Sequence, residues 1–351
     1  MKITLTKQKK VKPDYSKLGF GKYFTDHMLV MDYRDGKWQE PEIVPYQPFA
    51  MDPSTCVLHY GQGIFEGLKA YKDSNGKVTL FRPYDNFRRM NRSAERLCMP
   101  TLDVEETVEN LKKLVMIDED WIPTAPGTSL YIRPTMIATD EMLGVHPSHS
   151  YRFFIILSPV GSYYAAGLTP TKIMIEDQYV RAPLGGTGEA KCMGNYACSL
   201  LAGDIANKKG YEQVLWLDGK EHKYVEEVGA MNMFFVFDGV VKTPALVGSI
   251  LPGITRDSVI RVLEHEGMPV EECRISVDDI RAAIKNGHMN EAFGSGTAAV
   301  ISPVGVLGID GTDWTINNFE MGKITSFLYD KLTGIQTGRY PDPFGWVVHV
   351  N

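Results

Sequence analysis

The sequence predicts a protein of mixed α+β or α/β class, folded into two consecutive domains with a functional site between them. Its 351 residues are enough for two domains. Strand-like and helix-like patterns occur in both halves of the chain, and a Gly- and Pro-rich stretch at 159–170 separates the halves. We therefore expect a small N-terminal α/β domain at 1–158, a linker at 159–171 and a larger C-terminal domain at 172–351.

The first half of the chain predicts a sheet accompanied by two helices. β-Branched and aromatic runs around the turns Asp35-Gly36 and Asn75-Gly76 are typical of antiparallel strands. Apolar residues spaced three or four positions apart indicate helices. The predicted strands are 24–33, 42–46, 67–71, 78–81, 129–137 and 151–157, and the predicted helices lie around 87–97 and 104–115.

The second half continues the mixture of strands and helices. A glycine-rich turn is expected at 185–188, between strand and helix patterns. The predicted strands are 173–175, 214–217 and 231–237, and the predicted helices run from 196 to 208 and begin near Thr255, Val277 and Phe319. Such a mixture in two blocks predicts a ligand site in the cleft between the domains.

The charge balance argues against nucleic-acid binding. The formal net charge is −6 at pH 7, and no long basic block is present that could neutralise phosphates. The short basic stretch at 7–12 is expected to be a solvated, frayed terminus. No apolar run follows it, and no segment approaches the ~18 apolar residues of a membrane span. We therefore expect a cytoplasmic protein that binds neither nucleic acids nor membranes.

Cysteine and histidine spacing predicts neither disulfides nor a metal site. The cysteines number five, and none forms a CxxC pair. His146 and His149 are close in sequence, but we see no third ligand near them. No metal is predicted.

The segment from Gly185 to Tyr196, GGTGEAKCMGNY, contains the most informative lysine of the chain. A P-loop needs Gly directly before the lysine and Ser or Thr directly after it. Lys191 stands between Ala190 and Cys192, so the nucleotide-binding interpretation fails on both sides. Taken alone, the segment favours an exposed lysine on a flexible loop.

The remainder of the chain contains the partners that a lysine-bound pyridoxal phosphate would require. A Schiff-base lysine needs room and partners for the cofactor's other groups. The phosphate is suited to an arginine and to helix N-terminal amides, and the ring nitrogen is suited to a carboxylate. Candidates are the Arg-dense segment 81–94, the acidic pair Glu226-Glu227 and the glycine-containing turns at 251–255 and 294–297.

Motifs that are weak singly occur in order between residues 20 and 338. They are FTDHM at 24–28, HYGQGIFEG at 59–67, LYIRP at 130–134, the Lys191 segment, EVGAMN at 227–232, LPG at 251–253 and FGSGTA at 293–298. Together they resemble the fold-type-IV pyridoxal-phosphate enzymes, and among these the branched-chain aminotransferases. The resemblance implies a homodimeric enzyme that transfers amino groups between L-leucine, L-isoleucine or L-valine and 2-oxoglutarate.

The resemblance also implies roles for individual residues toward the cofactor. Lys191 would form the Schiff base and move the proton between the substrate Cα and the cofactor C4′. Glu227 would pair with the ring nitrogen, because it stands immediately before Val-Gly in the motif. Glu226 is the competing residue, and alternation along a strand would point the two side chains to opposite faces. Tyr196 would donate to the phenolic oxygen. The phosphate would be bound by Arg89, Ile254, Thr255 and Thr297, with Arg88 as the competitor of Arg89.

Substrate-binding residues follow from the same resemblance. Arg133 would receive the glutamate side-chain carboxylate, a role suited to its planar fork of donors; a buried structural ion pair is the alternative. Val145 would reach the neighbouring subunit's pocket, which makes a dimer necessary. The implied aromatic lining is Phe20, Phe65, Tyr131 and Tyr163, and the implied α-carboxylate ligands are Tyr60 and the amides of Thr297 and Ala298.

Two departures from the family pattern leave this chemistry intact. Ala230 stands where animal members carry threonine, and residues 297–302 lack the paired cysteines of the mammalian branch, so no thiol redox switch is expected. D-Amino-acid aminotransferases and aminodeoxychorismate lyases share the lysine and the glutamate, but the LYIRP motif and the long N-terminal segment favour the branched-chain type. A non-catalytic binding module would have lost Lys191 or Glu227.

Overall fold

The structure is a computed structural model that describes residues 1–73, 75–161 and 168–350. These residues form two units, each built on its own β-sheet. Unit 1 comprises the described residues within Met1–Ala165, Ala190–Met193 and Gly334–Asn351. Unit 2 comprises those within Ala166–Glu189 and Gly194–Thr333. The predicted mixed α/β class is confirmed.

The sheet of unit 1 is largely antiparallel, and two helices pack on it. Its strands are β1 (Lys2–Ile3), β2 (His27–Arg34), β3 (Lys37–Trp38), β4 (Glu42–Pro45), β5 (Gly63–Phe65), β6 (Leu68–Lys72), β7 (Val78–Phe81), β8 (Ser129–Ala138) and β9 (Tyr151–Val160). The helices of this part of the chain are α1 (Val57–Tyr60), α2 (Pro83–Arg96) and α3 (Val104–Ile117). The strands follow the order β1-β4-β2-β9-β8-β6-β7, with β3 beside β2 and β5 beside β8.

The helical periodicity of the sequence correctly identifies the core of unit 1. Phe87, Met90 and Ala94 of α2 are fully buried, as are Val108 and Leu111 of α3. Pro83 occupies the first turn of α2, where its missing N–H costs nothing, and Asp103 caps α3 by accepting the Glu106 N–H. These local signals explain why α3 begins at the predicted Val104 and why α2 begins at Pro83, before the predicted stretch around 87–97.

Strand β8 positions side chains for the site. It pairs with β9 along its whole length and with β5 near its C-terminal end. Because side chains alternate along a strand, Tyr131 and Arg133 lie on the same face. Phe65 of β5 stands opposite Thr135, which continues that face. Three residues singled out from the sequence therefore share one side of this sheet.

The sheet of unit 2 contains a closed ring of paired strands. Its strands are β10 (Thr171–Glu176), β11 (Gln213–Leu217), β12 (Val225–Val228), β13 (Met231–Phe237), β14 (Val240–Pro244), β15 (Val270–Cys273), β16 (Met289–Gly296), β17 (Val300–Ile309) and β18 (Thr312–Thr315). They follow the order β12-β11-β10-β17-β16-β13-β14-β15, and an additional pairing of β12 with β13 closes the ring. The ring buries both acidic residues of β12.

The helices of the second half differ from the prediction in two places. They are α4 (Met193–Ala197), α5 (Leu200–Lys208), α6 (Ile254–His265), α7 (Val277–Lys285) and α8 (Lys323–Gln336). The single helix predicted at 196–208 is two helices, interrupted at Cys198 and Ser199. The last helix begins four residues after Phe319, because 317–319 form a short 3-10 turn with Asn318 at φ 52°.

The C-terminal segment belongs to unit 1, although the sequence analysis assigned all of 172–351 to the second domain. Strand β19 (Val347–His349) pairs antiparallel with β7, so the chain end satisfies the backbone groups of what would otherwise be an edge strand. Residues 190–193 also belong to unit 1, and Cys192 forms a bridge with Ile64. The predicted linker lies partly outside the described residues, at 162–167, and its boundaries remain a prediction.

The expectation of a frayed N-terminus is wrong. The Lys10 backbone N–H donates to Asp26 Oδ1 at 2.8 Å, and its ammonium donates to the Thr25 carbonyl at 2.7 Å. The Lys12 ammonium lies 2.8 Å from Asp120 Oδ2, and Thr6 N–H donates to His27 Nε2 at 2.9 Å. Acidic side chains far away in sequence fix this basic stretch. No helix in the described residues is long and apolar enough to cross a bilayer.

Candidate active site

The backbone of Lys191 is fixed on both sides within unit 1. Its N–H donates to Ser93 Oγ at 2.9 Å, and its carbonyl accepts the Phe65 N–H at 3.1 Å. The side chain is partly exposed, and Nζ lies 4.9 Å from the centroid of the Phe65 ring. An exposed lysine on a flexible loop does not describe this geometry. The structure instead presents an accessible amine on a backbone that is hydrogen-bonded on both sides.

One buried face of α2 carries the serine that holds the Lys191 backbone, together with two further polar residues. Asn86, Arg89 and Ser93 follow the three- and four-residue spacing of a single helix face, and all three are buried. Arg89 binds Glu66 through two parallel bonds, Nε to Oε1 at 2.7 Å and Nη2 to Oε2 at 2.8 Å. The competing residue Arg88 points away from this face: its side chain is 55% exposed and pairs with Asp85.

Glu66 is a charged residue of the site that the sequence analysis did not single out. It follows Phe65 within the HYGQGIFEG motif, and its side chain is fully buried. Burial alone would raise the pKa of the carboxyl group. The charge and hydrogen bonds of Arg89, with help from the charge of Lys191, outweigh burial and hold that pKa below its usual range. The motif was noticed as a pattern, but only the fold shows which cation the carboxylate binds.

Aromatic rings and Arg133 form one wall in unit 1. The Phe20 and Tyr131 rings meet edge to face with centroids 4.9 Å apart. The Arg133 guanidinium lies 4.6 Å from the Phe65 centroid and 5.3 Å from that of Tyr131, and its Nη2 donates to the Tyr131 hydroxyl at 3.2 Å. Tyr163, the fourth predicted aromatic residue, lies outside the described residues.

Arg133 has no carboxylate partner among the described residues. Its only hydrogen bond there goes to Tyr131, and its buried Nε has none. The alternative of a structural ion pair is therefore not realised in the described part of the chain. A cation held against two aromatic faces, with a donor left over, is a suitable receptor for an anionic group of a substrate.

Tyr60 and Val145 belong to an exposed apolar loop region of unit 1. The Tyr60 hydroxyl accepts the Gly144 N–H at 2.8 Å, so the loop before Val145 is anchored on this tyrosine. Val145 is 89% exposed, Leu143 is 65% exposed and Met142 is 47% exposed. Large apolar side chains at a loop tip are unusual for a surface that meets only water.

In unit 2, Glu227 and its neighbour Glu226 have different partners. Glu227 forms an ion pair with Arg181, with Nε and Oε2 2.5 Å apart, and accepts a hydrogen bond from Asn232 at 3.1 Å. Glu226 instead binds the Ser249 hydroxyl, and burial raises the pKa of its carboxyl group despite that bond and the charge of Arg181. A partner for a protonated ring nitrogen must be anionic, so these environments favour Glu227.

Arg181 is a second residue that sequence reasoning missed. Besides Glu227, its guanidinium donates through Nη2 to the carbonyls of Gly188, at 3.0 Å, and Ser249, at 2.5 Å. It therefore ties the loop before Lys191 to the strand that carries Glu227. Nothing in the sequence around Arg181 distinguishes it from a surface arginine, because its partners lie 7 to 68 residues away.

The remaining predicted ligands of unit 2 lie at a helix start, on a short helix and in a turn. Ile254 and Thr255 open α6, whose N-cap Gly253 is extended and makes no side-chain cap bond, an arrangement typical of anion sites. Thr297 and Ala298 lie in the turn between β16 and β17, which ends at Val300 with φ 62°. That angle is strained for a β-branched residue and is commonly found at functional sites.

Tyr196 lies on α4, directly after a residue whose side chain is hydrogen-bonded across the lysine loop. The Thr187 hydroxyl donates to Asn195 Oδ1 at 2.6 Å, and Asn195 Nδ2 donates back to the Thr187 carbonyl at 2.8 Å. These bonds close the loop that contains Lys191. Tyr196, immediately after Asn195, is partly exposed.

The histidines at 146 and 149 do have a potential third metal ligand nearby, contrary to the sequence analysis. Asp140 offers a carboxylate oxygen, and one ligand atom from each of the three residues lies within 4.8 Å of the others. The Asp140 carboxylate already accepts both the His149 and Ser150 backbone N–H groups, the Ser150 hydroxyl and the His149 ring. These bonds account for its position as a loop-closing acceptor, and we assign no metal here.

Each unit, taken by itself, contains donor types that suit part of pyridoxal phosphate. Unit 1 contains the Lys191 amine and the Arg89 cation. Unit 2 contains Glu227 beside Arg181, the Tyr196 phenol and the start of α6.

Comparison with known proteins identifies the family. A model of the amino-transferase class IV family matches residues 63–306. Over 351 residues, 100% of this chain and 97% of the relative, the sequence is 56% identical to branched-chain-amino-acid aminotransferase 2 of Bacillus subtilis (strain 168). The structure is similar to the branched-chain amino acid aminotransferase of Escherichia coli, with TM-score 0.77, 29% identity and coverage of 93% of this chain and 99% of that one. It is also similar to the T.th. branched-chain amino acid aminotransferase complexed with N-(5'-phosphopyridoxyl)-L-glutamate, with TM-score 0.73, 29% identity and coverage of 92% and 98%.

The chain therefore belongs to the amino-transferase class IV family, with the two-domain fold of the fold-type-IV enzymes. Its activity is that of a pyridoxal-phosphate-dependent aminotransferase. Within the family it groups with the branched-chain amino acid aminotransferases. The resemblance inferred from the seven motifs is confirmed.

The close approach at Gly188 generates a stability prediction. A Cβ at Gly188 would stand 1.9 Å from the Ser249 carbonyl oxygen and 2.8 Å from the Ala182 Cβ. We expect Gly188→Ala to lower the free energy of unfolding by ~2–3 kcal/mol, because backbone must move to relieve the overlap. Urea denaturation followed by circular dichroism measures the change.

The matched control is Gly203→Ala, on α5, where an added Cβ meets nothing within 4 Å. It should leave stability unchanged or raise it by ~0.5–1 kcal/mol, because alanine is the better helix former. Equal stability of the two variants would contradict the close packing of the lysine loop on Ser249.

Proposed function

We propose that this aminotransferase exchanges amino groups between L-leucine, L-isoleucine or L-valine and 2-oxoglutarate, with pyridoxal phosphate attached to Lys191. The observation that carries the proposal is Arg133, a cation between two aromatic rings with no carboxylate partner among the described residues. The relatives of known name act on branched-chain amino acids, and a solved neighbour binds a pyridoxyl derivative of glutamate. Both kinds of substrate suit this wall.

The wall around Arg133 accommodates two chemically different side chains. Phe20, Phe65 and Tyr131 offer apolar surface to an aliphatic side chain, worth ~0.8 kcal/mol for each buried methylene. Arg133 offers a planar set of donors to the carboxylate of glutamate or 2-oxoglutarate. Tyr60 and the amides of Thr297 and Ala298 are proposed to receive the α-carboxylate, which both substrates share. Tyr163 stays a prediction for the aromatic lining.

Two residues have proposed catalytic roles, Lys191 in proton transfer and Glu227 in stabilising charge on the cofactor ring. When bound, pyridoxal phosphate supplies a reactive carbonyl carbon and a ring that stabilises negative charge at the substrate Cα. The Lys191 amine is proposed to move the proton between Cα and C4′, for which its fixed backbone and accessible side chain are suited. Glu227, supported by Arg181, holds negative charge at the ring nitrogen.

The other cofactor ligands are proposed on the same grounds. Arg89 and the amides at Ile254, Thr255 and Thr297 bind the phosphate, and Tyr196 donates to the phenolic oxygen. The support is the uncapped start of α6 and the buried, oriented guanidinium of Arg89.

We further propose a homodimer in the cytoplasm. The exposed apolar side chains at 142–145 suit burial in a second copy of the chain, as the resemblance implies for Val145. All five cysteines are free thiols, which suits a reducing compartment.

The first prediction from the proposed function concerns Lys191. The wild-type protein should transaminate L-leucine and leave D-alanine unchanged, whereas Lys191→Ala should lower turnover at least ~10³-fold, because both the covalent attachment and the proton carrier are lost. Absorbance of the loaded protein and coupled glutamate assays measure both effects. Lys209→Ala, an exposed lysine, is the matched control and should behave as wild type. Turnover by Lys191→Ala, or a preference for D-alanine, would sink the assignment.

The second prediction concerns Arg133. Arg133→Met should lower kcat/KM for 2-oxoglutarate ~10–100-fold more than kcat/KM for 4-methyl-2-oxopentanoate, because only the first substrate carries a side-chain carboxylate. Arg88→Met, which removes an exposed arginine, should change neither value. An equal loss for both oxo acids would show that Arg133 supports the fold rather than selecting the substrate.

The third prediction concerns assembly. Val145→Asp should shift the protein toward the monomer in light scattering coupled to size exclusion, because a charge would be buried at the contact. Val11→Asp replaces a valine that is 95% exposed in unit 1 and should leave the mass unchanged. A dimer that tolerates aspartate at 145 would rule this loop out as a contact.

A further inference from the structure

A fully buried carboxylate at position 66 needs a physical explanation. Its side-chain exposure is 0%, and no solvent compensates its charge. Removing a carboxylate from water is costly, and replacing a buried ion pair by apolar residues is often neutral or stabilising. Glu66 is therefore better explained by what it does to its neighbours than by a gain in stability.

The carboxylate determines the orientation of the Arg89 guanidinium. Two parallel bonds, from Nε to Oε1 at 2.7 Å and from Nη2 to Oε2 at 2.8 Å, join the two planar groups edge to edge. This geometry uses two of the five N–H donors of arginine and fixes the plane of the whole group. The directions of the other N–H donors then follow from the position of Glu66.

Glu66 is itself prevented from moving. Oε2 also accepts the Asn86 amide at 2.9 Å and the Gly67 backbone N–H at 3.2 Å. Asn86 donates in addition to the Gly67 carbonyl at 3.2 Å. The same face of α2 that carries Asn86 and Arg89 also carries Ser93, which holds the Lys191 backbone. The carboxylate is thus bonded to helix α2 and to the backbone between β5 and β6, and the same helix holds the Lys191 backbone.

We propose that Glu66 is a positioning residue, whose carboxylate holds the Arg89 guanidinium ready to bind the phosphate of the cofactor. The inference rests on the proposed role of Arg89 and adds a second residue behind it. Without Glu66, the arginine side chain would sample several rotamers, and binding of the phosphate would have to pay for ordering it. With Glu66 in place, that ordering is complete before the cofactor arrives.

The negative charge also serves the electrostatics of this region. Arg89 and Lys191 are both basic and both close enough to Glu66 to lower the pKa of its carboxyl group. The carboxylate therefore compensates positive charge from both side chains. A neutral residue of the same shape would keep the packing and lose this compensation.

The test compares two ligands that differ only in the phosphate. Apo protein is titrated with pyridoxal 5′-phosphate and with pyridoxal. The Kd for pyridoxal divided by the Kd for pyridoxal 5′-phosphate measures the contribution of the phosphate to affinity. Glu66→Gln should reduce this ratio at least ~tenfold, because one nitrogen of Arg89 then faces an amide N–H₂ instead of an oxygen. Affinity for pyridoxal itself should change less than ~threefold.

Three controls make the outcome decisive. Glu95→Gln makes the same chemical change at an exposed position of α2 and should leave the ratio unchanged. Glu66→Asp keeps the charge and draws the carboxylate back, so it should reduce the ratio by a smaller factor, and it carries the test if Glu66→Gln does not fold. Arg89→Met should abolish most of the preference for the phosphorylated ligand.

The results separate this inference from the function on which it rests. A ratio that falls in both the Glu66 and the Arg89 variants supports the positioning role. A ratio that falls only in Arg89→Met overturns it and leaves the phosphate assignment intact. Equal weakening of both ligands in Glu66→Gln shows a purely structural residue and also overturns it. A ratio unchanged in Arg89→Met refutes the phosphate assignment itself.

Discussion

The position of Lys191 depends on one buried face of helix α2. That face holds the Lys191 backbone through Ser93 and orients Arg89 through its pair with Glu66. A lysine that carries a cofactor must combine a fixed backbone with a side chain that can move. The fold meets both needs, because the backbone of Lys191 is bonded in both directions while its amine remains partly exposed. A shift of α2 would therefore move the amine and the Arg89 cation together.

Unit 2 shows how different partners can give two equally buried, adjacent carboxylates different environments. Glu226 and Glu227 are neighbours on β12 and equally buried. The first binds a hydroxyl and has a raised pKa, whereas the second binds the guanidinium of Arg181. Strand alternation separates the two side chains, and each then meets a different long-range partner. The chemistry of a site is in this case determined by residues that the motif does not contain.

Local patterns predicted most elements of the fold, and long-range contacts account for what they missed. The period of the α2 and α3 apolar residues and the turns at Asp35-Gly36 and Asn75-Gly76 are local, and the structure agrees with them. The docking of the N-terminal arm on Asp26 and the pairing of β19 with β7 join residues far apart in sequence, so no local pattern could reveal them. The same holds for the site: motifs pointed to Lys191 and Arg133, whereas Arg181 and Glu66 became visible only through their ion-pair partners.

In the proposed function, the surroundings of Arg133 let one substrate site serve two side chains. An arginine buried without any partner would be costly, and a lysine there would lose its hydration without replacement. The Phe65 and Tyr131 faces, at 4.6 and 5.3 Å, stabilise the guanidinium while an aliphatic side chain occupies the pocket. A carboxylate of 2-oxoglutarate can then add charge-assisted hydrogen bonds without displacing the rings. In the proposed function the aromatic wall therefore has two roles, as apolar surface for leucine and as support for the cation that binds the glutamate side chain.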